Sequence, residues 1–216
     1  MSSMVYIAPQ NQTELDNRTQ MALSCPRGGL STEKGDAINI RPATVEDVPA
    51  LARVHVEAWH AAYRGVVPDS FLEQITVSKR EAPFQEFLLK DSPEATYVAE
   101  ESEEVVGFLM VGSCRDADVD ENNTGEIWGI YIAPKHWRRG IGRRFAAKAQ
   151  ETLKCRGYTE VTLWVLEQNK PARRFYEAVG FRQDGVSKEL NFGVPVKAVR
   201  YRKPLVGVEG GTGGRS

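Results

Sequence analysis

The chain has 216 residues, of which 41% are apolar and 26% charged, and its formal net charge is −1. This composition suits one globular domain and excludes a chain that is disordered throughout or embedded in a bilayer. No apolar run approaches the roughly 18–20 residues that span a membrane. The low net charge argues against a general nucleic-acid binder, because a surface that follows phosphates needs a cationic excess.

The two ends of the chain differ in composition from its centre. Residues 1–36 are polar and lack sustained periodicity, so we expect a mobile extension before a domain at 37–205. The glycine-rich residues 206–216 are expected to form a disordered tail. The N-terminus shows no basic start followed by an apolar block, and the three cysteines lack the spacing of a zinc site. We therefore expect a cytoplasmic protein without a metal.

Between these ends, hydrophobic periodicity predicts strands that alternate with helices. A first strand at 38–41 stops at Pro42, and Thr44 with Asp47 resembles a capping box that opens a helix. An acidic turn joins the next two strands into a hairpin. The pattern indicates an α/β (α+β) domain with a mixed sheet. The remaining helices are predicted at 78–90, 140–156 and 171–179, and the remaining strands at 97–100, 105–114, 126–132, 161–166 and 196–201.

The turn after the strand at 126–132 is the most informative stretch. Gly140 and Gly142 lie between an apolar strand and a helical pattern, and four arginines crowd the same turn. A strand, a glycine turn and a helix present backbone N–H groups and a positive helix end to phosphate. The sequence therefore predicts a site for a phosphorylated cofactor.

Two familiar phosphate loops are excluded by single residues. A nucleotide-triphosphate loop needs a lysine and a hydroxyl residue after its last glycine, and this chain has Arg143 and Arg144 there. A dinucleotide fingerprint needs a third glycine three positions after Gly142, and Phe145 occupies that position.

A second informative stretch is NKPARRFYEAVGF at 169–181. It has the spacing N-x-x-A-x-x-F-Y-x-x-x-G-F. Together with the glycine turn it resembles the GNAT superfamily of acyl-CoA-dependent N-acetyltransferases, over roughly residues 38–205. The first motif of that family, Gln/Arg-x-x-Gly-x-Gly/Ala, falls on Trp137 to Gly142, so Trp137 stands where the family has glutamine or arginine.

The resemblance implies the GNAT fold, a mixed and mostly antiparallel central sheet flanked by helices, with central strands that splay at the acyl-CoA site. Acetyl-CoA would be the acyl donor, with its pyrophosphate on the backbone of the glycine turn and its pantetheine arm along the edge of the central strand. The cofactor-binding residues implied are Ile130, Tyr131, Ile132, Arg138, Arg139, Gly140, Ile141, Gly142, Arg143, Asn169 and Tyr176.

Two residues are implied in catalysis. Tyr176 matches the family's general acid, which would protonate the coenzyme A thiolate or stabilise it by a hydrogen bond. Glu126 precedes Trp137 by eleven positions and matches a strand glutamate that acts as general base through water. Because an alkyl ammonium has a pKa near 10.4 and a free glutamate one near 4.3, burial would have to raise the pKa of this carboxyl. Glu167 and water alone are the alternatives.

The acceptor is the least defined part. The resemblance places its pocket near the end of the first helix, where Trp59 and Tyr63 would line it. We expect direct transfer in a ternary complex to an amine of a small molecule or a peptide, and a homodimer is left open. A non-catalytic acyl-CoA-binding module is the alternative function, and nucleic-acid binding through the arginines is disfavoured by the net charge.

Overall fold

The computed structural model describes residues 38–90 and 94–205. Within these ranges the chain forms one seven-stranded sheet in the order β1-β2-β3-β4-β5-β7-β6. Only β4 and β5 pair in parallel, and the other neighbours are antiparallel. This confirms the predicted mixed sheet. The strands are β1 (Asn39–Pro42), β2 (Ala95–Glu101), β3 (Glu104–Ser113), β4 (Thr124–Ile132), β5 (Glu160–Leu166), β6 (Arg182–Asn191) and β7 (Pro195–Pro204).

Helices cover both faces of the sheet. Phe145 and Leu153 of the fourth helix belong to a core that it shares with β4 and β5. The first and third helices pack on the opposite face, where Phe84 and Phe108 are buried. The predicted extension 1–36 and tail 206–216 lie outside the described residues, so the domain limits 37–205 stay a prediction. The helices are α1 (Val48–Tyr63), α2 (Asp69–Leu72), α3 (Val77–Leu89), α4 (Ile141–Cys155) and α5 (Lys170–Ala178).

The start of α1 is fixed by the predicted capping residues. The backbone N–H of Thr44 donates to Oδ2 of Asp47 at 2.8 Å, within a short 3-10 turn at Val45–Asp47 that leads into the helix. Arg41 of β1 donates to both carboxylate oxygens of Asp47, at 2.7 and 2.9 Å. One carboxylate therefore caps a helix and joins it to the edge of the sheet.

Two elements were not predicted from the sequence. Strand β6 lies at the edge of the sheet and contributes only Val186 and Leu190 to the core, so its hydrophobic signal is weak. Its pairing with β7 is also interrupted near Gly185, which has φ of +90°. Helix α2 has four residues, too few for a recognisable period.

The two central strands diverge. The pairing of β4 with β5 covers Thr124–Ile127 and Glu160–Leu163, although β4 continues to Ile132 and β5 to Leu166. Just beyond the paired part, Val111 of β3 faces Ile127 and Met110 faces Gly129, so β4 carries an extra residue in a β-bulge. The splayed strands that the resemblance implies are therefore present.

The divergence leaves part of β4 with an open backbone edge. Tyr131 faces Phe108 of β3, and the N–H of Ala133 donates to the carbonyl of Val106. Since backbone groups of successive strand residues point to opposite sides, those of Ile130 and Ile132 point toward the gap left by β5.

Candidate acyl-CoA cleft and active site

A cleft of about 370 Å³ lies where β4 and β5 diverge. It is bounded by the end of β4, the glycine turn, the start of α4 and the inner face of α5. The structure therefore brings together most of the cofactor-binding residues predicted from the sequence. The residues that line the cleft are Ile130, Ile132, His136, Arg138, Gly140, Ile141, Gly142, Arg143, Phe175 and Tyr176.

The backbone of the turn is shaped for close approach to a ligand. Gly140 has φ of +83° and precedes the first residue of α4, so the amino end of the helix opens onto the cleft. Arg138 also has a positive φ, +64°, which is uncommon outside glycine and concentrates at functional sites. Arg138 and Arg143 are exposed at the cleft. Helix-end N–H groups and two guanidinium groups make this wall suited to phosphate.

Glycine at position 142 has a packing reason. A Cβ atom there would lie 3.2 Å from Cε2 and from Cζ of Phe175. The absence of a side chain therefore allows the first turn of α4 to approach α5, which carries Tyr176. Phe175 lines the cleft as well, and its part in the site was not predicted as functional.

Trp137 stands where the family motif has glutamine or arginine, and its indole forms a hydrogen bond to the strand. Its indole Nε1 donates a 2.7 Å hydrogen bond to the carbonyl oxygen of Ile132, and its ring packs against the core. The Ile132 carbonyl is one of the groups that point toward the gap. The bond fixes the glycine turn to the end of β4, so the leading position of the motif has a structural contact to the strand.

Three of the predicted cofactor residues do not line the cleft. The side chain of Tyr131 stacks on Phe108 on the opposite face of the sheet, with ring centroids 4.7 Å apart. The guanidinium of Arg139 binds both carboxylate oxygens of Glu101. Asn169 caps α5 by accepting the N–H of Ala172 at 3.2 Å. Their predicted contacts with the cofactor stay untested predictions.

Tyr176 lines the cleft and is 1% exposed. Burial raises the pKa of its phenol well above the usual value, and the nearby Tyr63 and Tyr131 raise it further. Its ring packs edge-on against Phe175 and Phe181. The hydroxyl is therefore neutral and protonated at neutral pH.

Asn169 joins the two faces of the sheet at this point. Its Nδ2 lies 3.5 Å from the hydroxyl of Tyr63 in α1, while its Oδ1 caps α5. The same amide thus connects the helix that carries Tyr176 with the predicted acceptor side. Sequence reasoning assigned Asn169 to the cofactor and could not foresee this contact between helices.

Glu126 is 2% exposed and is bound by Arg115. The backbone N–H and Nε of Arg115 donate to Oε2 at 3.1 and 3.0 Å, and Nη2 donates to Oε1 at 2.6 Å. The guanidinium of Arg115 also lies 4.5 Å from the ring centroid of Trp128. Arg115 therefore occupies both carboxylate oxygens of Glu126. The alternative base, Glu167, lies 2.9 Å from Nζ of Lys197.

The predicted acceptor residues are buried. Trp59 is 3% exposed and Tyr63 is fully buried, with ring centroids 4.7 Å apart. Phe71 and Phe192 complete an aromatic cluster over them. Nearby, burial and the Arg80 cation lower the pKa of His55 to about 3, so this imidazole is neutral. Both predicted acceptor residues are therefore packed within an aromatic cluster.

In the described ranges no helix is long and apolar enough to cross a membrane, and no cluster of three or more His, Cys, Asp or Glu side chains could hold a metal ion.

Comparison with known proteins gives the family. The model of the acetyltransferase (GNAT) family matches residues 56–181. An uncharacterised N-acetyltransferase of Bacillus subtilis, YuaI, is 32% identical over 142 residues, which cover 65% of this chain and 78% of the relative. A spermidine N(1)-acetyltransferase of Thermoplasma acidophilum is 26% identical over 153 residues, covering 68% of this chain and 89% of the relative.

Solved structures agree in fold. The PaiA N-acetyltransferase of Thermoplasma acidophilum, in complex with coenzyme A, superposes with a TM-score of 0.66 at 20% identity, covering 78% of this chain and 99% of that one. At this identity the likeness concerns the fold alone. The family match spans the glycine turn, the splayed strands and Tyr176. The chain belongs to the GNAT family of acetyltransferases.

Proposed function

We propose that this protein moves an acetyl group from acetyl-CoA to a primary amine by direct transfer in a ternary complex. The observation that carries the proposal is the cleft at the splay, which joins a phosphate-binding turn at one end to a buried, protonated Tyr176. A thioester cofactor needs both features, because it has phosphates at one end and a leaving thiolate at the other. The coenzyme A bound to the related PaiA structure supports the choice of cofactor.

Each part of the cofactor has a matching surface. The amino end of α4 and the side chains of Arg138 and Arg143 would hold phosphate. The backbone edge at Ile130 would pair with the amides of the pantetheine arm, as an added strand pairs with an open edge. The thioester would then lie in the gap between β4 and β5, beside Tyr176.

Tyr176 would act on the leaving group. A free phenol has a pKa near 10 and a free thiol one near 8.5, and burial of Tyr176 widens this gap. Full proton transfer to the thiolate is therefore uphill, whereas a hydrogen bond from the neutral hydroxyl to the developing thiolate is strong because the acceptor is charged. We propose that Tyr176 lowers the barrier in this way as the C–S bond breaks.

Three groups are candidates for removing the proton from the amine. Glu126 stays our candidate for general base, acting through water, although Arg115 binds both of its carboxylate oxygens. Glu167 is more exposed and is paired with Lys197. Water alone requires no rearrangement of either pair.

The acceptor, the cellular location and the oligomeric state are proposed in broader terms. We propose an amine of a small molecule or a peptide, reached by movement of the aromatic cluster at Trp59 and Phe192. The spermidine acetyltransferase among the relatives makes polyamines the first amines to test. A domain at 37–205 in the cytoplasm, with a homodimer left open, completes the proposal.

The test combines binding with turnover. Isothermal titration measures the Kd for coenzyme A, and release of the free thiol from acetyl-CoA is followed with polyamines, amino acids, aminoglycosides and peptides. We expect Tyr176→Phe to lower kcat at least about a hundredfold and to leave Kd within about threefold. Tyr158→Phe, a partly buried tyrosine against the same core, is the control and should change neither.

The burial of Trp59 and Tyr63 favours one other function, a non-catalytic acyl-CoA-binding module. Its signature would be tight binding of coenzyme A with no thiol release for any amine class. Absence of coenzyme A binding would reject both functions.

A further inference from the structure

His136 lies in the wall of the cleft with a ring nitrogen that lacks a partner. It ends the 3-10 turn Pro134–His136 and is 8% exposed. Its Nε2 is buried, and no group in the described ranges forms a hydrogen bond with it. A buried polar atom without a partner lowers the stability of the fold. His136 is among the residues that line the cleft, so a ligand bound there is the partner that this nitrogen could gain after a small shift of the wall.

The other ring nitrogen has two partners. Nδ1 lies 3.0 Å from Oε2 of Glu101 and 3.0 Å from Nη1 of Arg139. Arg139 is itself paired with both oxygens of Glu101. The carboxylate and the guanidinium thus fix the plane of the imidazole from the side away from Nε2.

The partners of Nδ1 determine the role of Nε2. An arginine can only donate, so when Arg139 donates to Nδ1 the proton of the neutral ring is on Nε2. When the ring is protonated, Nδ1 donates to Glu101 and Nε2 again carries a proton. In the third state, a neutral ring that donates to Glu101, Nε2 is an acceptor. An anion at Nε2 would select the first two states.

We propose that His136 is a phosphate-binding residue, whose Nε2–H donates to a phosphate oxygen of the acyl-CoA donor. This inference rests on the proposed function and adds a residue to its cofactor site. The same cleft is lined by Arg138 and Arg143, so its charge suits an anion. Glu101 and Arg139 are positioning residues, which act through the imidazole. The pyrophosphate and the 3′-phosphate of the cofactor share the chemistry, and the experiment separates them.

The test compares ligands with and without phosphates. His136→Phe removes the donor and keeps a ring, and His136→Gln keeps an N–H donor of similar reach. We expect His136→Phe to weaken coenzyme A binding about ten- to one-hundredfold, as loss of a hydrogen bond to a charged group should, and His136→Gln to stay within about threefold. Competition by pantetheine, which has no phosphate, should be unchanged in both variants.

Dephospho-coenzyme A assigns the phosphate. This ligand keeps the pyrophosphate and lacks the 3′-phosphate. If His136→Phe also weakens its binding, His136 contacts the pyrophosphate; if His136→Phe leaves its binding unchanged, His136 contacts the 3′-phosphate. His60→Phe is the control, since Nε2 of His60 lies 3.2 Å from the carbonyl of Ile75 and the residue does not line the cleft.

Two results would overturn the inference. Unchanged coenzyme A affinity in His136→Phe would exclude a phosphate contact, and an equal loss for coenzyme A and pantetheine would show that the ring supports only the shape of the cleft. A wild-type protein that fails to bind coenzyme A would instead reject the proposed function, so the two failures are distinguishable.

Discussion

The indole Nε1 of Trp137 donates a 2.7 Å hydrogen bond to the carbonyl oxygen of Ile132, the last residue of β4. One end of the bond belongs to the phosphate-binding turn and the other to the strand edge that we propose holds the pantetheine arm. The bond therefore couples the two halves of the cofactor site.

Loss of this bond should weaken cofactor binding more than it weakens the fold. We expect Trp137→Phe to raise the Kd for coenzyme A about three- to tenfold, because a typical hydrogen bond contributes about 1 kcal/mol. Titration calorimetry measures the change. Trp164→Phe is the matched control, since that indole donates to Asp116, outside the cleft. Equal Kd values for the two variants would contradict a coupling role for Trp137.

The sequence predicted the backbone of the site better than its side-chain partners. The turn from 126–132 to 140–156 was predicted because glycine, proline and apolar periodicity are local signals, and the structure has these elements at Thr124–Ile132 and Ile141–Cys155. Contacts such as Arg115 with Glu126, or Arg139 with Glu101, join residues that only the folded hairpins bring together. No local pattern encodes such a pair.

His136 was not predicted as a site residue for the same reason, because its contacts are distant in the sequence. Its ring is held by Glu101, which is 35 positions earlier in the sequence and ends β2, separated from β4 in the sheet by β3. In the sequence it is one polar residue in a basic turn. A buried Nε2 without a partner is visible only in three dimensions.

Substitutions of the Arg115–Glu126 pair test whether Glu126 is the general base. Glu126→Gln and Arg115→Met both break the ion pair. Arg115→Met leaves the buried Glu126 without its guanidinium partner and should lower the free energy of unfolding by about 3 kcal/mol, whereas Glu126→Gln leaves the solvent-exposed Arg115 and should lower it by less. Only Glu126→Gln also removes the candidate base, and we expect it to lower kcat about a hundredfold, against less than tenfold for Arg115→Met.

Urea titrations measure the stabilities, and initial rates at saturating acetyl-CoA measure kcat, at a temperature where both variants are folded. Equal losses of kcat in the two variants would assign Glu126 to the ion pair alone. The deprotonation step would then fall to Glu167 or to water.

Contact between α4 and α5 predicts a coupling between Gly142 and Phe175. In Gly142→Ala the new methyl group would lie 3.2 Å from two ring carbons of Phe175, so the ring or the helix must shift by a few tenths of an ångström. Since both residues line the cleft, we expect the Kd for coenzyme A to rise about tenfold. Phe175→Leu should make room for the methyl group.

A double-mutant cycle measures this coupling. The Kd of Gly142→Ala with Phe175→Leu should be lower than the product of the single effects predicts, by a coupling of at least about 0.5 kcal/mol. Additive effects would show that the methyl group acts elsewhere, for example on the backbone of α4.

The Asp47 carboxylate predicts how stability depends on pH. Burial by itself raises the pKa of Asp47, which is 6% exposed, but the hydrogen bonds from Arg41 and the Thr44 backbone outweigh it and lower the pKa below the usual value. A carboxyl whose pKa is lower in the folded state stabilises the fold above its unfolded pKa, near 3.9, and this contribution disappears as pH falls through the folded value. We therefore expect Asp47→Asn to lower the free energy of unfolding by about 2 kcal/mol at pH 7. The difference from wild type should shrink as the pH is lowered from 4 toward 2.

Glu73→Gln, at an exposed position, serves as the control and should follow wild type throughout. Urea unfolding at several pH values measures the difference, and a constant gap between Asp47→Asn and wild type would show that the amide disturbs the cap by shape and not by charge.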